Sequence, residues 1–471
     1  MTEIVVATLS ASYREGLEAL AKTYSAKRPD RRVRIDILPV AGYETWLRTQ
    51  IDGSRKTGPD IFNANYAWGL TEKGLLEDLT PHVDAVNPHT GKPWRQTLSA
   101  PFLQRARIAG DIAYIPLDFI EIAFYANRTH FDRLGFTAPR TWEEMIEQGR
   151  AFRGRGIAPF AVPANADSYW SGAVGWITRF FSDAYLRPWV PRVMSRPGDW
   201  DYDPRANGGF RSNPGDPYDD ATVVLNPERQ IQAVRGGDIR FDGPRFAEMY
   251  DRIREFSSLW QPGFHGTAQM HAYRLFLAGK AAVYLDTSAA IGQLMRDMSE
   301  LPASRRFPWD VHAIPPMRRS DFAIPAFRGV GGAGTMLGVV RKDPARTAAA
   351  VDFLQFLTAP DSVRVLVEEA LRHGRPLTGP MLVPGAPLPE TLARRYRAFE
   401  GRGFEKLTFR GLADEQQSVW EWTVQAQRYM EGQIPLRTFL ARYQRLMTEA
   451  VPRAVAASRY DMDPRTKDRR S

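Results

Sequence analysis

The chain has 471 residues, 43% of them hydrophobic and 25% charged, with a formal net charge of +9 and no cysteine. That length exceeds one ordinary domain and points to two lobes or two domains around large cores. The missing cysteine excludes disulfides, thiolate metal sites and cysteine nucleophiles, and no apolar run approaches the ~18 residues that cross a bilayer.

The positive charge is scattered along the helical patterns, and its densest piece is the tail RTKDRRS at Arg465 to Ser471. Nucleic-acid recognition normally uses a clustered basic stripe, so no nucleic-acid partner is expected. The opening MTEIVVATLSASYREG starts directly on a strand pattern, without the basic and then apolar regions of a signal peptide. That fits a cytoplasmic protein or one whose leader has been removed.

Glu3 to Leu9 reads as a strand, and Tyr13, Leu17, Leu20, Ala21 and Tyr24 then recur at helical spacing. Val33, Ile35 and Ile37 alternate with Arg34 and Asp36 as a second strand. Tyr43 to Ser54 suits a helix, and Gly58-Pro59 leads into a third strand at Asp60 to Asn63. Such β-α-β-α-β alternation predicts a parallel sheet covered by helices, with ligands beyond the carboxyl ends of its strands. The loops Ser10 to Tyr13 and Asn63 to Trp68 leave those ends.

Strands are expected at Ile112 to Leu117 and Ile120 to Tyr125, and Thr141 caps a helix with Glu144 three residues on. Tyr169 to Asp183 reads as a helix. Between Arg187 and Arg240 the pattern collapses into Pro, Gly, Asp and Asn, predicting a long irregular insertion. Helices follow at Pro244 to Trp260 and Gln269 to Ala278, then strands at Ala281 to Leu285 and Met336 to Val340. Pro344 opens a helix through Leu357, and the remainder is mostly helical.

Among candidate chemistries, the glycine-dense run GVGGAGTMLG at Gly329 to Gly338 lacks the Gly-Lys-Ser/Thr of a phosphate loop and precedes a strand. Close backbone approach to a neighbouring lobe or ligand explains it better. No metal is expected: the seven histidines form no close pair, and Asp199, Asp201 and Asp203, which alternate as in a calcium loop, meet Pro204 where glycine is required. Asp118 and Glu121 are spaced as a carboxylate pair, which serves either glycoside chemistry or plain hydrogen bonding to sugar hydroxyls. Tyr66, Trp68, Tyr169, Trp170, Trp176, Trp420 and Trp422 fall in loops or at helix ends. Flat sugar faces stack on such rings while Asn63, Asn65, Asp118 and Glu121 offer the polar rim.

Four stretches carry a family resemblance: GPDIFNANYAWGLTEKGLLEDLTP (Gly58 to Pro81), YIPLDFIEIAFYANRTHFDRLGFTAPRTWEEM (Tyr114 to Met145), FLAGKAAVYLDTSA (Phe276 to Ala289) and GGAGTMLGVVRKDPARTAAAVDFLQFLTAP (Gly331 to Pro360). In this order and spacing they resemble family 1 extracellular solute-binding proteins of ABC sugar importers, of the maltose-binding-protein type. The resemblance implies an α/β, two-lobe periplasmic-binding-protein fold with the ligand in a cleft between lobes. It also implies a carbohydrate ligand, a membrane permease as partner, no cofactor, no enzymatic activity and a monomer in the periplasm or tethered outside the membrane.

The implied boundaries are 1–117 plus about 319–358 for the N-terminal lobe and 118–318 plus about 359–471 for the C-terminal lobe, which carries the 187–240 insertion. Carried over by position, the implied ligand contacts are Ser10, Ser12, Tyr13, Asn63, Asn65, Tyr66, Trp68, Asp118 and Glu121, then Tyr169, Trp170, Asp286, Thr287, Gly331 and Gly332, with Trp420 or Trp422 as a late aromatic platform. Asn65 and Tyr66 stand where maltose binders place an acid and an arginine, and Thr287 and Ser288 where tryptophan is frequent, which weighs against a maltose-like ligand. A sugar phosphate, polyol or glycosylated metabolite is the alternative, with Arg375 as its anion anchor; a glycoside-active enzyme using Asp118 and Glu121 is the second. The stretch Gly198 to Asp220 carries six aspartates against Arg205 and Arg211, a local charge of −6 plus +2, or −4. It is expected to form a lid, with Trp200 and Tyr202 touching the ligand, or else a plain surface loop.

Overall fold

The computed structural model describes residues 2–39, 41–53, 57–64, 70–71, 73–108, 111–165, 169, 172–213, 215–317, 327–386, 388–407, 416–458 and 462. The chain forms two compact units of three segments each: Met1–Glu121, Thr287–Asp297 and Gly331–Arg397 in the first, Ile122–Asp286, Met298–Val330 and Ala398–Ser471 in the second. Residues 118–121, 287–297 and 359–397 therefore group with the first unit, whereas the sequence boundaries assigned them to the second. Packing accounts for part of this: the helix Pro360–Arg372 lies so close to Arg14–Lys27 that a Cβ on Gly16 would stand 2.8 Å from Leu366 Cα. Residues 327–330 group with the second unit, where Phe327 and Val330 join the core.

The nine strands of the two main sheets, in chain order, are β1 (Thr2–Thr8), β2 (Arg31–Ile37), β3 (Ile61–Asn63), β4 (Ile115–Pro116), β5 (Ile122–Asn127), β6 (Ala158–Ala161), β7 (Ala281–Thr287), β8 (Trp309–His312) and β9 (Met336–Val339). In the first unit the order is β2-β1-β3-β9-β4. β1 runs parallel to β2 and β3, in register Val6 to Ile61, but β9 is antiparallel to β3 and β4, so the sheet is mixed rather than purely parallel. Ile4 to Thr8 are all buried, as a strand covered on both faces requires.

Asp60, just before β3, ties this sheet together. Its Oδ2 accepts from Val5 N at 2.8 Å, while Oδ1 faces Lys342 Nζ at 2.8 Å and Arg346 Nε at 2.6 Å. The Gly-Pro-Asp motif is thus a sheet fastener.

The second unit has the order β6-β7-β5-β8, with β6 parallel to β7 and β8 antiparallel to β5. Its core is strongly aromatic: Trp142 meets Phe181 edge-on at 5.1 Å and Phe256 at 5.0 Å between centroids. Trp142 opens the helix Trp142–Gly154, which Thr141 caps by accepting Glu144 N at 3.2 Å, as the Thr-Trp-Glu-Glu motif predicts.

The 187–240 segment departs from the irregular loop expected of it. It holds short helices at Val190–Val193, Pro204–Asn207 and Pro227–Arg235. The residues that read as turn formers are caps: the Asp203 carboxylate accepts from Arg205 N and the Asn226 amide oxygen from Arg229 N, each ahead of a proline at the first helical position.

Candidate functional site

In the first unit the parallel run of β1 and β3 brings Ser10 to Tyr13 and Ala64 to the same end of the sheet. Ser10 and Ser12 are partly exposed there. The Ser10 hydroxyl lies 2.8 Å from Thr335 Oγ1, just before β9. Asn63 is buried: its backbone N–H donates to Tyr43 Oη at 2.9 Å, Tyr43 donates to its carbonyl at 3.0 Å, and its amide oxygen accepts from Thr8 Oγ1 at 3.3 Å.

Asp118 is wholly out of solvent. Oδ2 accepts from Tyr13 Oη at 2.5 Å and Thr335 Oγ1 at 3.3 Å, and Oδ1 accepts from Thr335 N at 2.6 Å. Burial pushes the Asp118 carboxyl up despite these donors, and burial beside Asp118 pushes the Tyr13 phenol well up. Tyr13 and Asp118 therefore act on each other and on Thr335, holding in place the strand ends that carry Ser10. Thr335 was not legible as a site residue, because its partners Ser10 and Asp118 are remote in sequence.

Three residues on from Asp118, Glu121 is also buried, with Gly331 N 3.4 Å from its Oε2. Gly332 and Ala333 pair antiparallel with Ile120 and Phe119. A Cβ at Gly331 would stand 1.8 Å from Ile120 O, and one at Gly379 1.9 Å from Phe119 O. Glycine is required at both for backbone to meet backbone, and at Gly331 the neighbour is a strand of the same unit. Thr287 is partly exposed at the end of β7, and the buried Ser288 hydroxyl donates to Thr378 O at 2.8 Å. Arg375, half-exposed, donates to Glu15 Oε1 at 2.6 Å, and this hydrogen bond holds the Glu15 carboxyl below its usual range.

In the second unit Tyr169 and Trp422 belong to the core, 5.9 Å apart, and Trp422 Nε1 donates to Tyr250 Oη at 2.9 Å. Trp176 packs against the same core, partly buried. Trp420, two residues from Trp422 on the helix Gln416–Met430, faces solvent at 55% exposure. Asp286 is partly exposed and accepts from Tyr284 Oη.

Each of the six aspartates between Gly198 and Asp220 has a partner. Asp199 accepts from Arg229 Nε at 2.5 Å and Nη2 at 2.9 Å, and Asp201 from Ser195 Oγ at 2.6 Å and Asn226 Nδ2 at 2.8 Å. Asp216 accepts from Tyr218 N, Asp219 from Arg187 and Asn213 N, and Asp220 from Arg328 Nη1. Trp200 and Tyr202, between the first of these, are partly buried. Among the described residues no group of three or more His, Asp or Glu is arranged to hold a metal ion. Asn65, Tyr66, Trp68 and Trp170 lie outside the described residues.

The sequence profile described as bacterial extracellular solute-binding protein matches residues 10–364. A curated relative, the multiple sugar-binding protein of Streptococcus mutans, is 22% identical over 173 residues, and the match spans about a third of each chain, 34%. Among solved structures, apo RafE from Streptococcus pneumoniae is similar at a TM-score of 0.65 and 14% identity, covering 96% of this chain and 98% of that one. The cyclic alpha-maltosyl-1,6-maltose binding protein of Arthrobacter globiformis is similar at a TM-score of 0.63 and 16% identity, covering 96% and 99%. These likenesses establish the fold over nearly the whole chain. With the profile running from Ser10 at the end of β1 to Arg364 in the helix Pro360–Arg372, the chain belongs to the bacterial extracellular solute-binding protein family.

Proposed function

We propose that this protein captures a carbohydrate, an oligosaccharide in particular, and delivers it to the membrane permease of an ABC importer. The observation that carries the proposal is the family match over residues 10–364, together with relatives whose names specify multiple sugars and a cyclic maltosyl-maltose. Its place of action is the periplasm or the outer face of the membrane, as a monomer. No helix among the described residues is long and apolar enough to cross a membrane.

Exposure and side-chain chemistry, taken within each unit by itself, support the choice of residues. The hydroxyls of Ser10 and Ser12, at the carboxyl end of β1, and the Asp286 carboxylate and Thr287 hydroxyl, at the end of β7, are partly exposed and suit a hydroxyl-rich ligand. The exposed Trp420 ring offers the flat face on which a sugar stacks. Asp118 and Tyr13 serve by fixing Thr335 and the strand ends. A ligand held this way is released unchanged, and it shifts the conformational equilibrium only by its differential affinity for the states involved.

A glycoside-cleaving role would need two carboxylates reaching one bond. Asp118 exposes no surface and spends both oxygens on Tyr13 and Thr335, which weighs against it. The Glu15 partner of Arg375 likewise weighs against an anion anchor there.

Native mass spectrometry of freshly purified protein, followed by thermal-shift screening of an oligosaccharide panel, tests the proposal. A ligand at ~100 times its dissociation constant adds ~2.7 kcal/mol to the folded state and raises Tm accordingly. A panel in which no carbohydrate moves Tm, or one that yields new reducing ends with turnover, sinks it.

A further inference from the structure

Within the second unit a cavity of about 460 Å³ opens where β7 begins, lined by Gly279, His130 and the segment around Phe307. That volume falls in the ordinary range for small-molecule sites, ~300–1,000 Å³. Asp286 and Thr287 lie at the other end of β7, about 20 Å away at the strand rise. The cavity is therefore separate from the groups proposed to hold sugar.

Its charge is one-sided. Arg133, Arg274, Arg305 and Arg306 all line it, and among the described residues no carboxylate does. The nearby acids Asp132 and Asp310 face Arg128, at 2.7 Å and 3.7 Å, and leave the cavity arginines alone. Arg133, Arg274 and Arg305 have no ion-pair partner among the described residues. Arg306 is oriented by two carbonyls, donating from Nε to Leu301 O and from Nη2 to Ser299 O, both at 2.7 Å, which leaves its other N–H groups available. His130 donates from Nε2 to Gly279 O at 2.8 Å, so its Nδ1, buried without a partner, carries no proton in the neutral ring. Leu277 and Phe307 supply an apolar wall.

The four guanidiniums are exposed and water screens their mutual repulsion in part, so an anion seated among them offsets like charge rather than being required by it. A single carboxylate neutralises one of the four, whereas each phosphate group brings about −1.5 to −2 and oxygens that match guanidinium forks. We infer that this cavity is a second ligand site, for a compact soluble polyanion of the phosphate-ester type, such as a diphosphate.

Inorganic pyrophosphate is the probe. Titrated calorimetrically into the full chain at about 0.15 M salt, it is expected to bind saturably at one site. The Arg133→Ala/Arg274→Ala double variant should weaken that binding at least about tenfold, and the charge-preserving Arg133→Lys/Arg274→Lys should lose less. Arg235→Ala, which removes an exposed arginine from the helix Pro227–Arg235, should leave it unchanged. Absence of saturable binding, equal weakening by Arg235→Ala, or binding only to phosphatidylglycerol vesicles overturns the inference. Carbohydrate thermal shifts measured on the same variants should be retained, so failure here and failure of the sugar assignment are read separately.

Discussion

Arg328 and Asp183 form a bidentate pair out of reach of solvent, Nε to Oδ2 at 2.7 Å and Nη2 to Oδ1 at 2.6 Å, although 145 positions separate them. Asp220 takes the third guanidinium nitrogen at 2.5 Å, and Lys406 N donates to Asp183 Oδ1 at 2.7 Å. Removing the cation would leave two buried carboxylates facing each other. Arg328→Met is expected to cost about 3–5 kcal/mol in a urea titration, with Asp220 left facing only Arg187 Nε, at 3.8 Å. Unchanged stability would show that the pair is not buried in solution.

Asp118→Ala strips acceptors from Tyr13, Thr335 N and the Thr335 hydroxyl at once. A loss of about 2–4 kcal/mol is expected, against about 1 kcal/mol for Tyr13→Phe. Carbohydrate affinity, measured by calorimetry on whatever fraction folds, should fall more for Asp118→Ala than for Tyr13→Phe, since only the former frees Thr335 and through it Ser10.

Acid stability should turn on Asp352. Burial pushes its carboxyl up, but hydrogen bonds from His89 and Tyr24, with the charge of Arg28, hold it well below the usual carboxylate range. A depressed folded-state value contributes stability above the unfolded pKa of about 3.9 and loses it as pH falls toward the folded value. Asp352→Asn is therefore expected to be less stable by about 1–3 kcal/mol at pH 7, with the gap to wild type closing below about pH 4. Asp118 has the opposite sign: its raised value favours the folded state most at low pH, and that contribution fades as pH rises through it. Chemical denaturation at several pH values distinguishes the two.

The two late tryptophans should separate stability from binding. Trp422→Ala empties a core position and breaks the bond to Tyr250, for an expected loss of about 3–5 kcal/mol. Trp420→Ala should stay within about 0.5 kcal/mol of wild type while weakening oligosaccharide binding about tenfold. Equal affinity in Trp420→Ala would remove that ring from the sugar site.

Gly331→Ala should be poorly tolerated for a steric reason. Its methyl would sit 1.8 Å from Ile120 O, so the two-stranded pairing of Gly332–Ala333 with Phe119–Ile120 must open. A loss above about 2 kcal/mol is expected, whereas Gly332→Ala, with nothing within 4 Å, should cost far less.

Much of the fold was legible because its signals are local. The alternation at Val33 to Ile37, the Thr141 cap and Pro344 at the start of its helix each act within a few residues, and each stands where expected. The family resemblance rested on strand ends and helix starts of the same kind. What could not be read is what joins distant segments: Asp60 to Arg346, Asp118 to Thr335, Arg328 to Asp183. A lone Asp looks the same in sequence whether it meets a sugar or a buried tyrosine. The insertion misled for a related reason, since Asp203 and Asn226 favour turns and helix caps alike, and only their neighbours decide between them.

The paired aspartates divide the insertion by how freely it can be rewritten. Asp219 and Asp220 hold it from beneath through Arg187 and Arg328, and Asp199 and Asp201 hold its start through Arg229 and Asn226. Between these anchors Gly208, Gly209, Arg211 and Ser212 are exposed. A peptide tag or fluorescent reporter spliced between Arg211 and Ser212 would rest on a fastened base, turning the segment into a mounting point for a sensor.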